Sequence, residues 1–281
     1  MEATAEQKYD ALCEHLAGLD SLLVAYSGGV DSTLLAVAAH SVLGDRTVAV
    51  LARSDTYPES DAVAAAALAR ELGLHLLEID THELSDPRFH SNPPDRCYYC
   101  KLELFGLLRT VADTRGLTAL ADGSNADDAD DHRPGRRAAA EFGVISPLAA
   151  AGMTKADIRR IASLLGLPNH DKPSMACLAS RFPYGSTIDD EALRRVARAE
   201  DALRSMGLRQ FRVRSHGDVA RVEIDPTEMD AAWARRTEIS SAVRLAGFAY
   251  VAADLDGYRS GSLNETLDVL ETAEPLTPPS P

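Results

Sequence analysis

Apolar positions in the first half of the chain fall into short solid runs separated by stretches with helical spacing. Leu22, Leu23, Val24 and Ala25 make one unbroken run, and Thr47 to Ala52 makes a second. Both are short enough for buried strands. Leu74 to Ile79 and Ala119 to Ala121 predict a third and a fourth strand. Between the strands the period lengthens. Glu6 to Leu19 reads as an amphipathic helix with Ala11, Leu12, His15, Leu16 and Leu19 on its apolar side and Cys13 as a filler thiol. Leu34 to Leu43, Pro58 to Leu72 and Lys101 to Arg115 also carry helical spacing, and Gly73 stops the second of these. Strand–helix alternation over about 150 residues predicts an α/β fold with a doubly wound, mostly parallel sheet. Thr154-Lys-Ala-Asp157 has the form of a capping box. It opens a helix with Ile158, Ile161, Leu164 and Leu165 on one face and Gly166 at its end.

The texture changes at Pro168 to Thr187, which has prolines, glycine and no period. A long irregular segment inside a compact protein is usually functional. The pattern resumes with a helix over Asp189 to Met206, whose inward positions are Leu193, Val196, Ala197, Ala199 and Leu203. The alternating runs Phe211–Ser215 and Val219–Ile224, joined by His216-Gly217-Asp218, predict a hairpin. A helix over Pro226 to Leu245 and a strand over Phe248 to Ala252 complete a small α+β unit. The expected organisation is a nucleotide-binding domain over 1–170, a loop over 171–187, a C-terminal α+β domain over 188–268 and a Pro-rich tail over 269–281. Asp127 to Arg137, charged and holding Pro-Gly, reads as a mobile loop near the strand ends.

Composition narrows the function classes. With 281 residues, 45% of them hydrophobic, the chain can bury a sizeable core. A formal net charge of -14 repels a polyanion unless a local basic patch overrides it, so no nucleic-acid partner is expected. The polar first ten residues predict no secretory signal, and no apolar run reaches the ~18 residues of a membrane helix. The cytoplasm is the expected compartment. There the four cysteines, Cys13, Cys97, Cys100 and Cys177, serve as thiols, metal ligands or catalysts rather than disulfides.

The candidate chemistry centres on Ala25-Tyr-Ser-Gly-Gly-Val-Asp-Ser-Thr33, where a strand gives way to a helix. Gly28 and Gly29 let backbone N–H groups approach an anion, and the helix points its positive end at the same spot. Ser27 and Ser32 add hydroxyls. Asp31, a carboxylate beside a phosphate, makes sense with a bridging divalent cation. Ser54-Asp55 and Asp122-Gly123-Ser124-Asn125 lie past strand ends, where open α/β sheets bind ligands. Cys97 and Cys100, in Asn92-Pro-Pro-Asp-Arg-Cys-Tyr-Tyr-Cys-Lys101, and Cys177 lie in two irregular segments that both follow sheet strands. Three readings stay open for them: an iron–sulfur cluster, a zinc site with a fourth ligand, or separate thiols that include a redox pair. Arg212 and Arg214 share one face of the hairpin. A phosphate between them fits that geometry, and a solvated basic face fits the spacing as well.

Ser27-Gly-Gly-Val-Asp-Ser32 resembles the PP-loop of the ATP pyrophosphatases, not the Walker loop. Together with Cys177-Leu-Ala-Ser-Arg-Phe-Pro-Tyr-Gly185, Arg133-Pro-Gly135 and Arg212-Val-Arg214 it resembles the LarE family of ATP-dependent sulfur transferases, from about residue 15 to residue 265. The resemblance implies that ATP adenylates a carboxylate of pyridinium-3,5-biscarboxylic acid mononucleotide and that sulfur then replaces AMP to give a thiocarboxylate. It implies Mg2+ on Asp31, and Ser27, Gly28, Gly29, Asp31 and Ser32 on the pyrophosphate end of ATP. Ser54 and Gly123 would border adenine and ribose. Arg212 and Arg214 would hold the substrate phosphate, and Arg181 would stabilise the charge that develops as AMP leaves. Glu200 and Glu223 are candidate metal or subunit-contact carboxylates; either reads equally as a plain surface acid, which is the preferred reading of Glu223. A C-terminal substrate-binding and oligomerisation domain and a trimer-based homohexamer are also implied.

Members of that family obtain sulfur in two ways, from one sacrificial cysteine or through a [4Fe-4S] cluster on three cysteines that carries sulfide from a donor. Cys97 and Cys100 beside Cys177 resemble the cluster type. A tRNA thiolase shares the loop, but its polyanionic ligand calls for a basic domain. A nucleotide-binding module without turnover, or an ammonia-using synthetase, would have no use for the three cysteines.

Overall fold

The solid apolar runs become parallel strands, and the segments with helical spacing cover them on both sides. The computed structural model describes residues 3–130, 134–173, 176–259 and 261–263. It forms two compact units, Met1–Ala176 and a second that begins at Cys177. The first runs α1 (Ala5–Ala17), β1 (Leu22–Tyr26), α2 (Val30–Leu43), β2 (Thr47–Arg53), α3 (Glu59–Glu71), β3 (Leu76–Asp80), α4 (Pro87–His90), α5 (Arg96–Arg115), β4 (Ala119–Ala121), α6 (Gly135–Glu141), α7 (Pro147–Ala150) and α8 (Lys155–Leu164). Its sheet has the order β3-β2-β1-β4, and every pairing is parallel.

Alternation along the strands divides the core in two. Leu22, Val24, Ala49 and Leu51 pack with α1, α2, α3 and α8 on one face. Leu23, Val48, Val50 and Leu120 pack with Phe105, Leu108 and Ala112 of α5 and Ala138 of α6 on the other. Burial on both faces is why these strands read as continuous apolar runs. The doubly wound α/β sheet expected from the pattern is therefore present. From β1 the chain winds outward through β2 to β3, then returns to place β4 on the other side of β1. The carboxyl ends of β1 and β4 thus flank the topological switch point, where such sheets bind ligands.

Several boundaries differ from the pattern. The buried stripe of α1 is Ala5, Leu12 and Leu16, with Tyr9 and Cys13 packed beside it. Ala11 and His15 face solvent, because the stripe lies one residue round from them. In α8 the box is complete: Thr154 accepts from Asp157 N–H and Asp157 caps in return. The buried face is Ile158, Ile161 and Ala162, and Leu164 and Leu165 are exposed. Part of the segment read as a loop is ordered, as a 3-10 turn over Ala126–Asp130 and as α6. Residues 131–133, Arg133 among them, and the tail Pro275–Pro281 lie outside the described residues.

The second unit holds α9 (Asp190–Ser205), β5 (Phe211–His216), β6 (Val219–Ile224), α10 (Met229–Ala234), α11 (Arg236–Leu245) and β7 (Tyr250–Ala253). β5 and β6 form the expected antiparallel hairpin, and β7 joins β6 in parallel. The single helix expected over 226–245 is two. Arg235 leaves helical geometry between them at φ -105 and ψ 17, where its guanidinium donates to the Met206 carbonyl and to Glu238. Among the described residues no helix is long and apolar enough to cross a membrane.

Candidate active site

The Gly-Gly loop closes on itself between β1 and α2. Ser32 Oγ accepts from Ser27 N–H at 3.1 Å, lies 3.1 Å from Ser27 Oγ and donates to the Gly29 carbonyl at 3.2 Å. Gly28 has φ +65, and a Cβ there would stand 2.5 Å from Ala65 Cβ of α3. Both facts demand glycine. Gly29 is the N-cap of α2, and no side chain caps it. Among the described residues no side chain caps the first amides of α2, which also have no intrahelical acceptor, so they can receive an anion. Gly123, just past β4, packs on this turn: a Cβ would lie 3.0 Å from Ser32 N.

Asp31 stands in the first turn of α2 and forms an ion pair with Lys155 at the start of α8. Its Oδ1 is buried with no hydrogen-bond partner among the described residues. An orphaned carboxylate oxygen beside an anion cradle fits a divalent cation. Ser54, past β2, faces inward instead: its hydroxyl donates to buried Glu83 and lies 2.8 Å from Thr56 Oγ1. Thr56 also donates to Glu83, at 2.7 Å. The local pattern gives no sign of Lys155, Glu83, Tyr57 or Asn169. Their partners lie 27 or more residues away, beyond the reach of local spacing.

The Cys-x-x-Cys is helical, a correction to the irregular segment expected. Pro93, Pro94 and Asp95 precede α5, a helix-start signature that places its N-terminus at Arg96 rather than Lys101. Buried Arg96 donates to buried Asn92 at 2.9 Å and anchors that end. Cys97 is exposed and Cys100 half-buried, and their three-residue spacing sets both on one helix face. α6 braces the same turn. Arg137 stacks 3.5 Å from the Tyr98 ring centroid, and the Tyr98 hydroxyl donates to Glu141 at 3.0 Å. Cys177 is half-buried and belongs to the second unit. As donors, three thiols suit a soft iron–sulfur centre. Among the described residues no three His, Cys, Asp or Glu side chains are gathered as a metal site.

In the second unit the arginines are buried within a charge lattice. Arg181 is 3% exposed and Glu200 2% exposed, and they pair through two bonds of 2.8 and 2.9 Å. Val213 N–H donates to the same carboxylate. Burial pushes the Glu200 carboxyl up, but the Arg181 charge and hydrogen bonds, with Val213 and Arg212, outweigh it and hold the group below the usual range. Arg181 also donates to the Cys177 carbonyl at 3.1 Å and to Ser180 Oγ at 2.9 Å, so it shapes the turn that carries Cys177.

Arg212 and Arg214 do share a face, but neither is solvated: they are 8% and 6% exposed. Arg214 donates to Glu223, Ser262 and the Ser180 carbonyl, and its Nε is buried with no acceptor among the described residues. Arg212 lies over the Tyr258 ring. Burial and the nearby Arg181 cation push its guanidinium below its ordinary value. Glu223, expected as a surface acid, is 1% exposed. It lies opposite Arg212 in the hairpin register and pairs with Arg214 and Arg221.

A family model described as NAD synthase matches residues 10–91, the stretch that carries β1, the loop and β2. With the loop seated at the switch point of a parallel sheet, this places the chain among the enzymes of the PP-loop ATP pyrophosphatase class. It is also 37% identical over 272 residues to the pyridinium-3,5-bisthiocarboxylic acid mononucleotide synthase of Lactiplantibacillus plantarum, across 96% of this chain and 99% of that protein. The chain belongs to that synthase's family, the LarE family of ATP-dependent sulfur transferases. An uncharacterized protein of Synechocystis sp. is 43% identical over 265 residues, spanning 93% of this chain and 98% of its own. Another, from Methanocaldococcus jannaschii, is 30% identical over 239 residues, spanning 85% and 91%.

Proposed function

We propose that the protein activates a carboxylate of pyridinium-3,5-biscarboxylic acid mononucleotide with ATP and replaces the AMP with sulfur. The observation that carries this reading is the uncapped PP-loop at the switch point of a chain that is collinear with a synthase of that product. In the first step a substrate carboxylate oxygen attacks the α-phosphorus of ATP, the bond to the β-phosphate oxygen breaks, and pyrophosphate leaves. Ser27, Gly28, Gly29 and Ser32 cradle that leaving group through N–H and hydroxyl donors. In the second step sulfide attacks the acyl carbon, AMP departs with the bridging oxygen, and a thiocarboxylate remains.

Asp31 would hold Mg2+, which offsets charge on the phosphates. Gly123 and the Ser54 turn would border the nucleoside. Arg212 and Arg214 would bind the substrate phosphate; the Arg214 Nε and the crowding of cations at Arg181, Arg212 and Arg214 favour an added anion there. Arg181 and Glu200 would hold the Cys177 turn in place. Cys97, Cys100 and Cys177 would hold a [4Fe-4S] cluster, whose open iron supplies a bound sulfide when it is loaded. A homohexamer built from trimers through the C-terminal domain, and a cytoplasmic location, complete the reading.

The test is protein purified without oxygen and given ATP, Mg2+, sulfide and the dicarboxylate nucleotide. AMP, pyrophosphate and thiocarboxylate should form together, with iron and acid-labile sulfide in the protein. Single Cys97→Ala and Cys100→Ala variants should lose the iron and the thiocarboxylate while AMP formation persists. Dehydroalanine at position 177 after a single turnover would replace the cluster route with the sacrificial one. No substrate-dependent AMP would overturn the reading altogether.

A further inference from the structure

The PP-loop is held from outside by two residues that sequence patterning passes over. The Tyr57 hydroxyl donates to the Ser27 carbonyl at 2.7 Å. Asn169 Nδ2 donates to the Gly28 carbonyl at 3.1 Å and to Thr33 Oγ1 at 3.0 Å. These two carbonyls belong to consecutive peptide planes, 27–28 and 28–29. In a trans peptide the C=O and the following N–H point in opposite directions, and the chain has no cis bond among its described residues. A bond that fixes a carbonyl therefore fixes the amide across the same plane. Tyr57 aims the Gly28 N–H. Asn169 aims the Gly29 N–H, whose contact to Ser27 Oγ at 3.5 Å is too long to compete with a phosphate oxygen.

Such aiming has a purpose here. Neither Gly28 nor Gly29 has a Cβ to hinder rotation of the plane between them, so a Gly-Gly peptide flips more readily than others. The two anchors come from separate stretches. Tyr57 precedes α3, and Asn169 follows α8, eight residues before Cys177 in the chain. Asn169 is 8% exposed, and its amide also ties Gly28 to Thr33, so one side chain spans the loop from its bend to the first turn of α2. Burial pushes the Tyr57 hydroxyl well above its ordinary value, with Asp61 adding to the effect, so it remains a donor throughout the neutral range.

We propose that Tyr57 and Asn169 are positioning residues that preorient the Gly28 and Gly29 amides for the pyrophosphate moiety of ATP. This rests on the ATP-using reading above and adds the residues that tune it. The prediction separates phosphate binding from everything else. Inorganic pyrophosphate, with Mg2+, is titrated calorimetrically into wild type, Tyr57→Phe, Asn169→Ala and the double variant, with adenosine as the phosphate-free control.

Each single variant should weaken pyrophosphate about threefold to tenfold, the range of one net hydrogen bond. The double variant should weaken it further. Adenosine affinity should stay within twofold, and the KM for ATP should rise more than kcat falls. Tyr57→Phe keeps the ring and its packing, so it decides the matter if Asn169→Ala does not fold. Pyrophosphate affinity unchanged in Tyr57→Phe, or adenosine affinity lost in parallel with pyrophosphate, overturns the proposal while leaving the ATP reading intact. A wild type that binds no pyrophosphate overturns both.

Discussion

Glu200 lies on the buried stripe of a helix whose other buried residues, Leu193, Val196, Ala199 and Leu203, are apolar. An acid at such a position is costly unless it is paired, and the bidentate Arg181 pair is what makes it tolerable. Removing one partner leaves the other charge buried, at a cost of about 3–5 kcal/mol. Arg181→Met and Glu200→Gln should each lower the chemical-denaturation stability of the second unit by that order. The pH dependence has a definite sign. The folded carboxyl titrates below its ordinary value of 4.5, so its stabilisation is complete above that pH and is lost as the pH falls further. Melting curves between pH 3 and 7 should show an acid limb in the wild type that is flatter in Glu200→Gln. Equal limbs in both would remove Glu200 from the account. From the sequence Glu200 is a metal or subunit carboxylate or a plain surface acid; the structure buries it in an ion pair with Arg181. The cue to its burial is its spacing between Ala199 and Leu203 on the inward face. Lys155 and Asn169 offer no such cue, because their partners are more than a hundred positions away.

Elements are legible in the sequence where one physical signal dominates. β1 and β4 follow from their apolar runs, and α8 from its capping box. Errors gather where two signals compete. The two prolines before the Cys-x-x-Cys mark a helix start as readily as a loop, and α5 absorbs both cysteines. The site depends on how closely these elements approach. Gly28 lets α3 contact the PP-loop, and Gly123 lets the end of β4 contact the start of α2. Alanine at 28 meets both a left-handed backbone, costing about 1–2 kcal/mol, and a Cβ 2.5 Å from Ala65. Gly28→Ala should therefore lose stability and pyrophosphate binding together. Ala65→Gly in the same chain should restore part of the stability, since the Cβ–Cβ clash disappears while the backbone strain and a 2.9 Å approach to the residue 65 Cα remain. Gly123→Ala should be milder, because its nearest neighbour is 3.0 Å away. A thermal-shift series of the wild type and these three variants checks the order, and no rescue by Ala65→Gly would show that the left-handed backbone and the approach to the α3 main chain, not the Ala65 methyl, set the penalty.

At the scale of the whole molecule the charge decides what can approach. Twenty-nine basic residues against forty-three acidic ones leave -14, a field that opposes any anion at long range. On the function proposed above a mononucleotide or ATP would still bind, because its few charges would meet local donors: the first amides of α2 for ATP, and the buried arginines of the second unit for the substrate phosphate. A polynucleotide cannot confine itself to those points. Its affinity would rest on neutralising many phosphates at once and would fall steeply with salt, by about 10³–10⁵ between 50 and 200 mM. The two ligand classes therefore predict opposite salt behaviour. Screening should ease the approach of ATP to an acidic protein, so kcat/KM for ATP should hold or rise across that salt range. Transfer RNA should form no complex in a gel-shift experiment even at 50 mM. A salt-sensitive tRNA complex would mean that the arginines of the second unit read a nucleic-acid backbone rather than one nucleotide phosphate, and the substrate would have to be reassigned while the PP-loop chemistry stood.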